Sequence, residues 1–203
     1  MRPAQVVRLL GGERRGELAR RLDGNVYGPA SGLPRSGTSL MMQMLAAGGL
    51  MLLTDGQRTA DPNNPRGYYE WEKAKSLPRE PNCIAEAEGK VVKVISSLLL
   101  SLPNTYGYKV IFMERSPVEV VASQAAMIQR LGTQAPTLAP EAMARALEAH
   151  LKQVKASLRL RPEMSVCWIN HQEVLQNPQR VCGLLSQKCN QRSAGSGSRA
   201  QQW

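Results

Sequence analysis

The sequence predicts an α/β domain, a three-layer sandwich in which a central parallel sheet lies between helices, and three observations carry that prediction. Short apolar runs alternate along the chain with segments of helical periodicity, the pattern of strand-helix-strand units. A glycine-bearing turn, SGLPRSGTS from Ser31 to Ser39, follows the first of these runs and precedes the first helical segment. The 203 residues with 42% apolar content are enough for one such domain and its core, and a single domain is expected.

Each element has a local reason. Residues 1–24 form a basic N-terminal segment with Glu13, Glu17 and Asp23 interspersed and no apolar signal-peptide core. Asn25 to Ala30 is the strand that feeds the turn, although Gly28 and Pro29 interrupt it where a central parallel strand normally reads as continuous β-branched and apolar residues. Ser39 to Gly48 is a helix with Met41, Met42, Met44 and Leu45 on its buried side, ended by Gly48 and Gly49. Thr54 to Glu72, dense in Pro, Asn, Asp and Gly, is a long polar loop of the kind that carries function. Val91 to Ile95 and Lys109 to Met113 are the second and third strands, the latter followed by a helical stretch. Glu141 to Leu160 is a helix with Met143, Leu147, Leu151, Val154 and Leu158 at three-to-four spacing. Met164 to Ile169 is a fourth strand, and Asn177 to Ser186 a last helix with Pro178 in its first turn. The domain therefore spans 25–186, and the Ser/Gly/Gln/Arg-rich stretch 187–203 is expected to be disordered.

The Ser31 to Ser39 turn has the glycine spacing of an ATP-binding Walker loop without its chemistry. In that loop a lysine reaches the β- and γ-phosphates and the next Ser/Thr holds magnesium. Here Thr38 stands in the lysine position, and the cation has moved inside the loop, to Arg35. Backbone N–H groups around Ser36 and Gly37, the Thr38 and Ser39 hydroxyls and one guanidinium can hold a phosphate with no metal.

A second anion station follows about 80 residues on. The run VIFMERSPVEVVAS, Val110 to Ser123, delivers Arg115 at a strand end and Ser123 eight residues later on a helix. Arg115 offers a planar fork of donors suited to a phosphate, beside a positive helix end. The plainer alternative is an ion pair of Arg115 with Glu114 or Glu119, with Ser123 a small helix residue.

Together the two segments resemble the donor-binding motifs of sulfotransferases, which use 3′-phosphoadenosine 5′-phosphosulfate. The resemblance runs from about Val26 to Leu185 and is nearest to bacterial sulfotransferase-like proteins, through SGLPRSGTS and DPNNPRGYYE, the latter from Asp61 to Glu70. It implies a P-loop nucleoside triphosphate hydrolase-like fold. It also implies a donor held by Arg35, Ser36, Gly37, Thr38 and Ser39 at one phosphate and by Arg115 and Ser123 at the 3′-phosphate, with no metal. Cytosolic relatives carry a strand lysine followed two residues later by a histidine base; here the segment reads Lys93-Val-Ile95, so Lys93 is present and the base position is apolar. Carbohydrate-directed relatives place a glutamate after the first helix, which makes Glu70 the candidate base, with Glu72 in reserve and Asp61 weaker. The alternative for any of them is a solvated carboxylate paired with Arg66 or Lys73. Arg35 and Lys93 are the catalytic cations implied. His171 stands where relatives often have a tyrosine or charged residue and is read as structural.

Composition narrows the partners. A formal charge of +10 favours anionic ligands. Dispersed basic residues, only 4% aromatics and the lack of a recognisable nucleic-acid motif argue against DNA or RNA, and no apolar run reaches membrane-span length. Cys83, Cys167, Cys182 and Cys189 form no metal-spaced pair and read as reduced thiols of a cytoplasmic protein, Cys167 in the core. The function expected is sulfuryl transfer to a hydroxyl or amine of a small-molecule or carbohydrate acceptor. A non-catalytic phosphonucleotide-binding protein, degenerate or truncated, is the alternative, because the carboxyl end has only Gln191-Arg192 and Ser198-Arg199 where relatives carry a basic segment. A P-loop kinase stands third, since it needs the missing lysine and a strand-end aspartate where Glu114 stands.

Overall fold

The computed structural model describes residues 26–132 and 138–190. Five strands form one sheet, all parallel: β1 (Val26–Gly32), β2 (Leu52–Leu53), β3 (Val91–Lys93), β4 (Gly107–Glu114) and β5 (Met164–Asn170), in spatial order β2-β3-β1-β4-β5. The chain leaves β1 for the edge, returns through β3, then crosses to β4. The carboxyl end of β1 is therefore the point where strand order reverses, and in open parallel sheets such a point opens a crevice.

Strand alternation sends side chains to two separate cores. Tyr108, Val110 and Phe112 of β4 join Val92 on one face, with Val154 and Leu158 packed over them. Ile111 and Met113 join Ala30, Val91 and Ile169 on the other, under Met41, Met42, Met44 and Leu45. The sheet is thus covered on both faces, as the continuous apolar runs of β3 and β4 require.

The helices are α1 (Thr38–Ala47), α2 (Ser96–Leu99), α3 (Pro117–Leu131), α4 (Pro140–Arg159), α5 (His171–Gln176) and α6 (Pro178–Asn190), with 3₁₀ turns at Glu72–Ser76 and Pro81–Ala87. Four methionine and leucine positions expected on the inner side of α1 are all buried, and so are Thr38 and Gln43. On α4 only Val154 and Leu158 are fully buried; Met143, Leu147 and Leu151 are partly covered. No helix among the described residues is long and apolar enough to cross a membrane.

The first strand departs from expectation in an informative way. It forms and is central despite Gly28 and Pro29. Gly28 N–H donates to Lys90 C=O at 3.3 Å and Ala30 C=O accepts from Val94 N–H at 3.1 Å, so residues 28 and 30 turn toward β3 and Pro29 toward β4. The β1–β4 pairing runs Val26↔Gly107 and Tyr27↔Tyr108, then resumes at Ala30↔Ile111. The gap falls where proline has no N–H to donate.

Three expectations need correction. The sheet has a fifth strand, β2, which two residues are too few to announce. The strand expected over Val91–Ile95 ends at Lys93, since Ile95 caps α2. The helix expected to stop at Ser186 continues to Asn190, so residues 187–190 are helical rather than disordered. Segment 1–24 and the remainder of the tail, with Gln191-Arg192 and Ser198-Arg199, lie outside the described residues.

Candidate functional site

The Ser31–Ser39 turn leaves β1 through glycines that no other residue could replace without collision. Gly32 has φ 146°, and a Cβ there would lie 2.4 Å from Ser36 Oγ and 2.7 Å from the Met113 carbonyl oxygen. Ser36 N–H donates to Leu33 C=O at 3.1 Å and closes the bend. Gly37, at φ 97°, is left-handed and starts α1. Arg35 between them also has positive φ, 70°, without being glycine. Such a backbone costs about 1–2 kcal/mol for a residue with a side chain, so something must hold it.

What holds Arg35 is the Arg115–Ser123 segment. Arg35 Nε donates to Ser123 Oγ at 3.1 Å, and Arg115 Nη1 donates to the Arg35 carbonyl at 2.9 Å. The two sequence motifs are therefore one site. Ser123 sits two turns into α3, whose cap is Ser116, and the loop arginine reaches out to it. The plainer expectation for Arg115 is present as well. Its Nε donates to Glu119 Oε2 at 3.1 Å, while Gln172 Nε2 donates to Glu119 Oε1 at 3.1 Å. Glu114 is engaged elsewhere, by Lys155.

Because Gly32 faces a backbone oxygen that cannot swing away, Gly32→Ala is expected to destabilise the protein by at least about 2 kcal/mol. Gly37→Ala meets the edge of the His171 ring at 2.6 Å, a side chain that can shift, so it should cost less. Urea unfolding midpoints of the two variants check the order.

The polar loop brings Glu70 to the same place. Arg58 Nη1 donates to its Oε1 at 3.1 Å and its Oε2 at 3.3 Å, and Lys93 Nζ to Oε1 at 3.4 Å. Lys93 also donates to Ser39 Oγ at 3.1 Å and to the Tyr68 carbonyl at 2.9 Å. The strand lysine thus stands against the glycine turn, which has no lysine of its own. With its side chain only 8% exposed, burial pulls the Lys93 ammonium below its ordinary pKa, and Glu70 opposes that shift.

The other carboxylates proposed from sequence are assigned differently. Asp61 shapes the loop: its Oδ1 accepts from Asn63 and Asn64 N–H at 2.7 and 2.8 Å, and its Oδ2 from Tyr68 O–H at 2.7 Å. The Tyr68 hydroxyl holds the Asp61 carboxyl below the usual carboxylate range. Glu72 pairs with Lys75 at 2.6 Å, and neither Asp61 nor Glu72 lines the cavity. The expected partners are also corrected, since Glu70 takes Arg58 and Lys93 rather than Arg66 or Lys73, and Lys73 takes Glu86. Long side chains from β3 and from the loop itself outreach sequence neighbours.

These groups share a cavity of about 1010 Å³ lined by Arg35, Gly37, Thr38, Ser39, Glu70, Lys93 and Arg115. That is at the upper end of the roughly 300–1,000 Å³ usual for small-molecule sites. Ser36 is nearly sealed beneath the loop, with its Oγ buried and without a hydrogen-bond partner among the described residues.

Three cavity residues were not singled out as site residues by sequence reasoning. Arg58 lies with its guanidinium carbon 3.5 Å from the Tyr68 ring centroid, a cation–π contact that steadies it against Glu70. Gln43, on α1, is buried, with Oε1 unpartnered among the described residues. His171, expected to be structural, opens α5 against Gly37 and lines the cavity, and its Nδ1 is buried without a partner among the described residues. Burial, and then the neighbouring Arg115, lower the His171 pKa and favour the neutral ring. Only its place in the polar loop from Thr54 to Glu72 signalled Arg58; a lone histidine and a helical glutamine carry no pattern.

Compared with protein-family models, curated proteins and solved structures, the chain matches none of them.

Proposed function

We propose that the protein is a sulfotransferase that moves a sulfuryl group from 3′-phosphoadenosine 5′-phosphosulfate to a hydroxyl or amine acceptor. The observation that carries this reading is the meeting of Arg35, Ser123 and Arg115 over the switch point of the sheet. The order β2-β3-β1-β4-β5, with the glycine turn leaving the central strand, likewise supports a P-loop nucleoside triphosphate hydrolase-like fold.

The bound donor supplies the sulfuryl group, and the chain's residues do the rest. The backbone N–H groups of the Ser36–Ser39 turn, the Thr38 and Ser39 hydroxyls and Arg35 hold the 5′-phosphate side, and Arg115 with Ser123 holds the 3′-phosphate. Glu70 accepts the acceptor's proton as its oxygen or nitrogen bonds to sulfur. Lys93 and Arg35 then stabilise the negative charge that collects on the departing phosphate oxygen. Adenosine 3′,5′-bisphosphate leaves. A second reading, a non-catalytic phosphonucleotide-binding protein, is favoured by one observation: Arg58 and Lys93 already occupy both Glu70 oxygens.

A thermal-shift comparison tests the reading. Adenosine 3′,5′-bisphosphate at a hundredfold excess over its Kd should add about 2.7 kcal/mol of stability. For a chain of this size that is about 5–10 °C in Tm, with no added metal. A larger shift from Mg²⁺-ATP would favour a kinase, and binding without turnover the non-catalytic protein.

A further inference from the structure

The cavity holds more cationic groups than the donor contacts use. Arg35, Lys93 and Arg115 are taken by those contacts, yet Arg58, Arg66 and Lys75 also line the wall, all supplied by the stretch between residues 58 and 75. Among the described residues Glu70 is the only carboxylate on that wall. Arg58 is neutralised by Glu70 and Lys75 by Glu72. Arg66 is exposed at the cavity and has no ion-pair partner among the described residues. The surface beside these charges is apolar. Trp71 adjoins Glu70 in the chain, and Ile95 and Leu98 follow Lys93.

We propose that the acceptor is an amphipathic acid: an apolar body whose hydroxyl or amine meets Glu70 and whose carboxylate is taken by Arg66. The word acceptor rests on the sulfotransferase reading; the anion and the apolar body rest on the wall itself. A neutral molecule of the same shape would fill the apolar surface and leave Arg66 and the net positive field of the cavity unanswered. A site that pairs a charge discriminates against the uncharged analogue, because its own group is then left without a partner.

The test uses 3-(4-hydroxyphenyl)propanoate and its amide, which differ in charge and little in shape. Both are titrated calorimetrically into the full chain, with and without adenosine 3′,5′-bisphosphate, whose own affinity is measured separately. The acid should bind about ten- to hundredfold more tightly than the amide. Arg66→Ala should abolish that difference while leaving the bisphosphate affinity within about twofold, since the residue is exposed and distinct from the donor contacts. Equal responses to acid and amide, including no response to either, would overturn the proposal. So would an acid preference that survives Arg66→Ala. Loss of bisphosphate binding with the acid preference intact would refute the sulfotransferase reading alone; bisphosphate binding without acid preference would refute this inference alone.

Discussion

Arg115→Ala is expected to weaken adenosine 3′,5′-bisphosphate binding by about ten- to hundredfold, the equivalent of losing a charge-assisted contact worth roughly 1.5–3 kcal/mol. Adenosine 5′-phosphate, which has no 3′-phosphate, should lose much less. It should lose something, because Arg115 also donates to the Arg35 carbonyl and so helps hold the loop in its left-handed conformation. Arg115 has five N–H donors; one goes to that carbonyl and one to Glu119. The others remain for a ligand on the cavity side. Calorimetry with both nucleotides separates the roles. Equal losses would make Arg115 a loop support, and the 3′-phosphate assignment would fall.

Glu70→Gln is expected to lower turnover by roughly 10² to 10⁴ while donor binding persists, since the amide keeps the size and loses the basicity. The structure adds a cost that the sequence did not announce. Lys93 is almost fully buried and Glu70 is its carboxylate partner, so the variant leaves a buried ammonium without a countercharge, held by the neutral oxygens of Ser39, the Tyr68 carbonyl and the new amide. A stability loss on the order of 1–3 kcal/mol should accompany the rate loss. Rates are therefore compared well below the variant's Tm, by following release of adenosine 3′,5′-bisphosphate from the donor. Glu72→Gln, whose carboxylate pairs with Lys75 outside the cavity, should stay near wild type. The converse result would move the base to Glu72; no effect from either would leave the non-catalytic protein as the better reading.

How much of this was legible in the chain depended on whether the cause was local. The glycine turn was legible because Gly32 and Gly37 take positive φ, a local backbone demand, although the groups that crowd them, Met113 and His171, come from far along the chain. Four of the five strands and the four longer helices were legible because side-chain periodicity is a short-range property; the two-residue β2 and the short α2 and α5 were not. Element ends were less so: the strand at Val91 stops early because Ile95 caps a helix that its own sequence barely signals.

The partners of long polar side chains were a different matter. Asp61, Glu70 and Glu72 are of the same chemical kind and lie within one loop, and nothing local ranks them. The fold ranks them by what it brings near: a tyrosine and two backbone N–H groups to Asp61, Lys75 to Glu72, a β3 lysine and Arg58 to Glu70.

The amino-acid sequence by itself determined that a parallel α/β sheet would carry a glycine turn rich in hydroxyls, with one arginine and no lysine, because backbone freedom and alternation are written residue by residue. Only the tertiary structure decided that Arg35 closes on Ser123, 88 residues away, that Lys93 stands against the loop, and that His171 and Arg66 face the cavity. Those contacts depend on strand order and on which faces pack together, and packing is settled by the summed burial of two distant cores rather than by any short stretch of chain.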